Sequence, residues 1–358
     1  MKKLNIAFFG APSFAARVLQ RIIDDKNLPI TVVLVVTQPD RPAGRKQIST
    51  STPVKLLAQK HGIPVFDSFQ LPTFSFQLKQ IDLVLLYAYG AIIPSDILKI
   101  PRWGFWNIHP SLLPKYRGAS PIAYSLLMGD TTTGVSLIEM NEKLDRGPII
   151  AQKKYEIQEN DMREDLENKL SDIGYELFKQ SVQLLINGTL QKVEQNNSNR
   201  TFTRLLTKQD GYIPFPIVQK IIKRVILKNN EIPPIITEYC NKYQLTTNHP
   251  STSLRVNQPL TTYYDLFRGL SPWPGLWTVF PINGIEKRLK ITRMTLSTNH
   301  PSTSLRVNQP LRPKVWAKGP SPFGGYRPLG EITHVQLEGK KEVSLETFQK
   351  AYGSFLNI

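Results

Sequence analysis

Leu4-Asn5-Ile6-Ala7-Phe8-Phe9-Gly10-Ala11-Pro12-Ser13-Phe14 is the stretch that decides the fold class. Its apolar run is short and stops at Gly10. After it, Phe14, Val18, Leu19, Ile22 and Ile23 recur at helical spacing through residues 13–25. A strand that turns directly into an amphipathic helix is the first half of a β-α-β unit. Met1-Lys2-Lys3 ahead of an apolar run also resembles the start of a secretory leader. Gly10 and Pro12 interrupt that run, and Asp24 and Asp25 follow, so a first strand is the better reading. The turn carries a single glycine, which argues against the three-glycine dinucleotide-binding fingerprint.

The alternation continues outward from there. Residues 30–36 form a β-branched run, 53–61 a helix with proline in its first turn, and 82–87 and 105–108 short apolar strands. Residues 121–128 read as a helix, 134–140 and 148–157 as strands. Residues 163–186 form a long amphipathic helix with Leu166, Leu170, Ile173, Leu177, Val182 and Leu185 inward. Apolar strands alternating with helices predict an α/β domain over residues 1–190, with a Rossmann-like, mostly parallel sheet covered on both faces. Ligands of such sheets sit beyond the carboxyl ends of the strands.

Residues 191–204 are polar and read as a linker. The remainder, 205–358, changes character. A basic amphipathic helix is expected near 216–228, followed by short strand-like pieces at 276–280, 289–294, 314–317 and 332–337 among many prolines and glycines. That pattern suits a smaller β-barrel domain. Trp273, Trp277 and Trp316 read as barrel core. The segment 247–260, Thr-Asn-His-Pro-Ser-Thr-Ser-Leu-Arg-Val-Asn-Gln-Pro-Leu, recurs residue for residue at 298–311. Two short copies without apolar period read as inserted surface loops.

The 358 residues carry 45 Lys and Arg against 28 Asp and Glu, a formal charge of +17. Residues 1–190 hold 22 basic and 18 acidic side chains, while 191–358 hold 23 and 10. A balanced front half and a strongly basic back half fit a chemical domain joined to one that meets a polyanion. A hydrophobic fraction of 41% rules out a mostly disordered chain. Without an apolar run of about 18 residues, no membrane span is expected. The lone Cys240 permits no internal disulfide and no Cys-based zinc site. A cytoplasmic monomer is expected, with no metal.

Strand 105–108 runs into Asn107-Ile108-His109-Pro110-Ser111-Leu112-Leu113-Pro114-Lys115-Tyr116-Arg117-Gly118. Residues two apart on a strand share a side, so Asn107 and His109 present a carboxamide and an imidazole to one spot. Asp145, in the loop after the next strand, is placed to orient His109. There is no Gly-x-Ser-x-Gly elbow, no His-Glu-x-x-His helix and no phosphate-binding Gly-x-x-x-x-Gly-Lys-Ser/Thr loop. What remains suits direct transfer, in which a substrate's own nucleophile attacks a carbonyl carbon while Asn107, His109 and Asp145 manage charge and protons.

Asn107-Ile108-His109-Pro110-Ser111-Leu112-Leu113-Pro114 with Asp145 resembles the signature of the folate-dependent formyltransferases. Residues 37–45, Tyr87-Ala88-Tyr89-Gly90, Thr133-Gly134-Val135 and residues 268–275 resemble, more narrowly, members that act on initiator methionyl-tRNA. The resemblance is strong over residues 1–190, clear near 201–211 and 266–280, and weak elsewhere. It implies transfer of a formyl group from 10-formyltetrahydrofolate, the co-substrate, to the methionine amine of that tRNA, with no metal. It makes Asn107, His109 and Asp145 catalytic. Ser111, Leu112, Leu113 and Pro114 would line the folate site, with Tyr89 and Gly90 facing the pterin. Arg41, Arg45 and Lys46 would meet the tRNA acceptor end, and the back domain would be an OB-like, tRNA-binding barrel. Lys115 and Arg117 are left open between folate tail and tRNA. The alternatives are a formyltransferase acting on a sugar-nucleotide or ribonucleotide amine, and a non-enzymatic RNA-binding protein on a decayed formyltransferase domain. The intact Asn/His/Asp set speaks against the second.

Overall fold

The computed structural model describes residues 3–43, 48–66, 77–223, 233–243, 262–282, 284–296 and 330–356. The chain divides into two compact units, Met1–Ser125 with Asp130–Leu205, and Leu126–Gly129 with Leu206–Ile358.

The described strands of the first unit are β1 (Leu4–Gly10), β2 (Ile30–Val36), β3 (Arg41–Ala43), β4 (Ile48–Thr50), β5 (Val65–Phe66), β6 (Leu83–Tyr87), β7 (Phe105–His109), β8 (Arg117–Gly118), β9 (Thr132–Glu139), β10 (Ile149–Glu156) and β11 (Phe202–Thr203). Its helices are α1 (Ser13–Asp24), α2 (Pro53–Lys60), α3 (Ser95–Leu98), α4 (Pro121–Leu127, which ends in the second unit) and α5 (Arg163–Ile186). Seven strands form one Rossmann-like sheet in the order β10-β9-β7-β6-β1-β2-β5. Five of them, from β7 to β5, run parallel. β9 is antiparallel to both β7 and β10, so the sheet is mostly parallel, as expected, with its two antiparallel pairings at the β10 edge.

Alternation along each strand feeds two layers. Phe9, Val84, Leu86 and Phe105 point into a buried cluster with Ile93, Ile97 and Leu98. On the other face, Trp106 meets Phe178 of α5 edge to face, and Tyr87 meets Phe14 of α1. Each fully buried aliphatic or aromatic side chain contributes about 1.5–3 kcal/mol. The helices start where local chemistry allows. Thr52 accepts the N–H of Lys55 ahead of Pro53, and Asp165 accepts the N–H of Met162 at the start of α5. α5 has the bounds that its apolar period predicts.

The second unit contains α6 (Phe215–Ile222), α7 (Pro234–Lys242), α8 (Tyr263–Leu270) and α9 (Leu345–Leu356). Its four described strands, β12 (Leu276–Ile282), β13 (Ile285–Leu296), β14 (Gly330–Leu337) and β15 (Glu342–Ser344), make an antiparallel sheet in that order. This sheet is consistent with an OB-like small domain. Of the expected basic helix, Phe215–Ile222 is helical with Lys223 at its C-cap, and residues 224–228 lie outside the described residues. Both 14-residue repeats, the strand expected at 314–317 and Trp316 lie outside the described residues. Trp273 is 53% exposed, contrary to the core position expected for it. Trp277 sits beside Tyr212, Lys208 and Arg288, on the face of β12 opposite the buried Leu276, Thr278 and Phe280.

Candidate active site

β7 ends at His109, and its alternation puts Asn107 and His109 on the same side, both buried. Asp145 joins them by an unexpected route. Because β9 is antiparallel, its carboxyl end lies beside the start of β7, where Met140 N–H bonds the Phe105 carbonyl. The loop before β10 then folds back until Asp145 reaches Asn107 and His109. Asp145 takes a left-handed backbone, φ +48°, a conformation that Asp tolerates better than most residues.

The carboxylate is well held. Oδ2 accepts the N–H of Gly118 at 2.7 Å, and Oδ1 accepts Asn107 Nδ2 at 3.3 Å. His109 Nδ1 stands 3.6 Å from the same Oδ1, too far for a direct hydrogen bond. The other ring nitrogen, Nε2, donates to the Tyr116 carbonyl at 2.9 Å. A carbonyl only accepts, so the Nε2 proton is committed to that bond, and Nδ1 is the nitrogen facing the carboxylate. Tyr116 holds its carbonyl there with φ +60°, a strained value for a bulky residue.

The predicted folate loop is pinned from behind. Ser136 Oγ donates to the Ser111 carbonyl and accepts from Leu113 N–H and Gln152 Nε2. Ser111 is fully buried and gives its hydroxyl proton to the Lys115 carbonyl; Leu113 is buried, whereas Leu112 and Pro114 are partly exposed. Tyr89 packs its ring edge to face on Phe9 inside the core, with burial pushing its phenol pKa up, while Gly90 is exposed at φ +81°. Arg41 is exposed on the β3–β4 hairpin and donates to Gln38. Arg45 and Lys46 lie outside the described residues.

Arg117 is 1% exposed, its guanidinium bonded to Gln195 and Asn197, so it is not open to a folate tail or a tRNA. Lys115 pairs with Asp130. The polar stretch after α5 packs against the site. Val193 bridges Ile149, Thr201 accepts Tyr116 N–H, and β11 pairs with β8. Gln195, Thr201 and Thr203 are buried there. Sequence reading missed them, since polar residues without period carry no burial signal. Among the described residues, no group of three His, Cys, Asp or Glu is placed to hold a metal, and no helix is long and apolar enough to cross a membrane.

A carboxamide, an imidazole and a carboxylate converging at the end of a sheet strand are chemically suited to donate to a reacting carbonyl and to balance charge beside it. Comparison with known proteins makes the class specific. Residues 3–182 match the formyl transferase family model, and residues 251–353 match the model of the formyl transferase C-terminal domain. The chain belongs to the formyl transferase family and is an enzyme of that family. A curated methionyl-tRNA formyltransferase from Bacillus cereus (strain B4264) is 42% identical over 214 residues, 59% of this chain and 67% of the relative. In fold, the chain is similar to an N-formyltransferase from Helicobacter canadensis solved with folinic acid and dTDP-3-aminofucose. That match has TM-score 0.51 and 22% identity, covering 84% of this chain and 89% of the other. A sugar 3N-formyl transferase, WlaRD, solved with dTDP and 5-N-formyl-THF, gives TM-score 0.52 at 21% identity over 83% and 87%.

Proposed function

We propose that the chain transfers the formyl group of 10-formyltetrahydrofolate to the free α-amine of methionine on initiator methionyl-tRNA. The observation that carries this reading is the convergence of Asn107, His109 and Asp145, with one carboxamide N–H directed at Asp145 and its second donor left for a substrate. The similarity to methionyl-tRNA formyltransferases supports the choice of amine.

The reaction follows from the chemistry of these groups. An α-amine has a pKa of about 7.7–8.0, lowered further by a neighbouring ester, so a neutral fraction exists at physiological pH. The neutral amine attacks the formyl carbon, and negative charge develops on the formyl oxygen. Asn107 Nδ2 donates to that oxygen, and His109 Nδ1 joins it once the ring is protonated, since the neutral ring keeps its proton on Nε2 for the Tyr116 carbonyl. The new N–C bond forms, the bond from the formyl carbon to the folate nitrogen breaks, and a proton passes from the attacking to the leaving nitrogen. Asp145 stabilises the protonated imidazole during that passage. Leu112 and Pro114 line the folate side and Gly90 faces the pterin, while Ser111, Leu113 and the Tyr89 ring, expected there too, support those positions from the core beneath. Arg41, Arg45 and Lys46 guide the acceptor end of the tRNA, and the basic C-terminal region binds its phosphates.

The test is incubation with 10-formyltetrahydrofolate and charged initiator tRNA, followed by analysis for N-formylmethionine. Its formation is the expected result. Formylation of a sugar-nucleotide or ribonucleotide amine, with none of methionyl-tRNA, would overturn the reading.

A further inference from the structure

Gln195 is 6% exposed and uses both ends of its carboxamide. Oε1 accepts from Arg117 Nη2 at 2.5 Å and Nε at 3.2 Å. Nε2 donates to the Asp145 carbonyl at 2.9 Å and to the Gly147 carbonyl at 2.7 Å. Asn197 Oδ1 accepts a further Arg117 N–H at 2.8 Å. A buried guanidinium is thus held by neutral amide oxygens rather than a carboxylate. Burial, then Arg146, push its pKa down; Asp145 acts the other way, and Arg200 adds to the lowering. Gly118 N–H, next in the chain after Arg117, bonds the Asp145 carboxylate. One side chain therefore links the backbone of the left-handed turn at Asp145 to the residue preceding its carboxylate donor.

We propose that Gln195 is a positioning residue for formyl transfer, clamping the backbone at Asp145 and Gly147 and joining that turn to the Arg117–Gly118 strand. The proposal rests on the assignment of Asn107, His109 and Asp145 given above. Without the clamp, two carbonyls lose their shared donor, and the carboxylate is free to move relative to Asn107 and His109. Displacement of a reacting group by about 1 Å costs up to about a hundredfold in rate.

The test is a double-mutant cycle in the full chain. Gln195→Ala removes both contacts, whereas Gln195→Glu keeps an acceptor for Arg117 and lacks the N–H groups for the two carbonyls. Both are expected to lower kcat on the order of ten- to a hundredfold, with KM for folate and tRNA nearly unchanged. In an Asp145→Asn background, either change is expected to lower kcat little further, since its effect runs through Asp145. Binding of 5-formyltetrahydrofolate checks that each variant is folded, and Gln195→Glu carries the cycle if Gln195→Ala does not fold. Wild-type kcat in Gln195→Glu, an effect on KM alone, or full multiplicative loss on top of an impaired Asp145→Asn would overturn the proposal and leave the catalytic assignment standing. Wild-type turnover in Asp145→Asn would remove the assignment, and the proposal with it.

Discussion

At Gly118 the backbone adopts φ +107°, and a Cβ there would lie 2.4 Å from the Thr203 carbonyl oxygen. The same residue gives its N–H to Asp145. Gly118→Ala thus meets a strained dihedral and a backbone collision together. The expected outcome is a loss of about 1–3 kcal/mol in denaturant unfolding, of the size typical for such backbone effects, with a marked fall in kcat. Unchanged stability and turnover would show that β8 and β11 can separate without disturbing the site. Asn107→Ala, His109→Ala and Asp145→Ala probe the chemistry itself. Each should lower kcat about a hundredfold or more, as removal of an oxyanion donor does elsewhere, while folate and tRNA binding stay near normal. Steady-state kinetics with separate binding measurements distinguish the two. Asn107 and His109 were legible in sequence because strand alternation puts i and i+2 on one side. Gln195 was not: a buried glutamine in a polar run looks like linker until the guanidinium and carbonyls it bridges are known.

Between elements, α5 contacts the sheet through Gly174, where a Cβ would come within 2.6 Å of Ile108 Cγ2. Along the same middle stretch it is tied to the C-cap of α1, Asp25, which accepts from Tyr175 and pairs with Lys179. Those two hydrogen bonds, led by Lys179, hold the Asp25 carboxyl at about 2, below its ordinary 3.8. A carboxylate with a depressed folded pKa stabilises fully above its unfolded pKa, and that contribution disappears as pH falls through the folded value. Asp25→Asn should therefore destabilise the protein by about 1 kcal/mol at neutral pH, solvent screening removing part of the full effect, and the gap should narrow below pH about 4 and close near pH about 2. Urea unfolding across that range measures it, and a gap independent of pH would remove Asp25 as its source. Helix bounds were readable at this scale because α5 keeps its apolar period for 24 residues. The direction of β9 was not, since an apolar run has no polarity of its own. Only pairing with β7 settles it, and that pairing brings Asp145 in by a folded-back loop.

Across the whole molecule, the two halves differ most in charge, and this bears on how a polyanionic substrate would be held. The front 190 residues nearly balance their charges, whereas the rest carries 23 basic side chains against 10 acidic. Folate brings few charges to its site; a tRNA brings an ordered array of phosphates with condensed counterions. Displacing those counterions makes affinity fall steeply with salt, by roughly one power of concentration per phosphate contact. Raising monovalent salt from about 50 to about 200 mM should thus raise KM for methionyl-tRNA by tenfold or more, and leave KM for 10-formyltetrahydrofolate and kcat nearly constant. Paired titrations of the two substrates in one salt series separate these effects. Equal salt dependence for both would mean that salt acts on the protein rather than on phosphate contacts. No salt dependence for the tRNA would mean that the basic half meets something else.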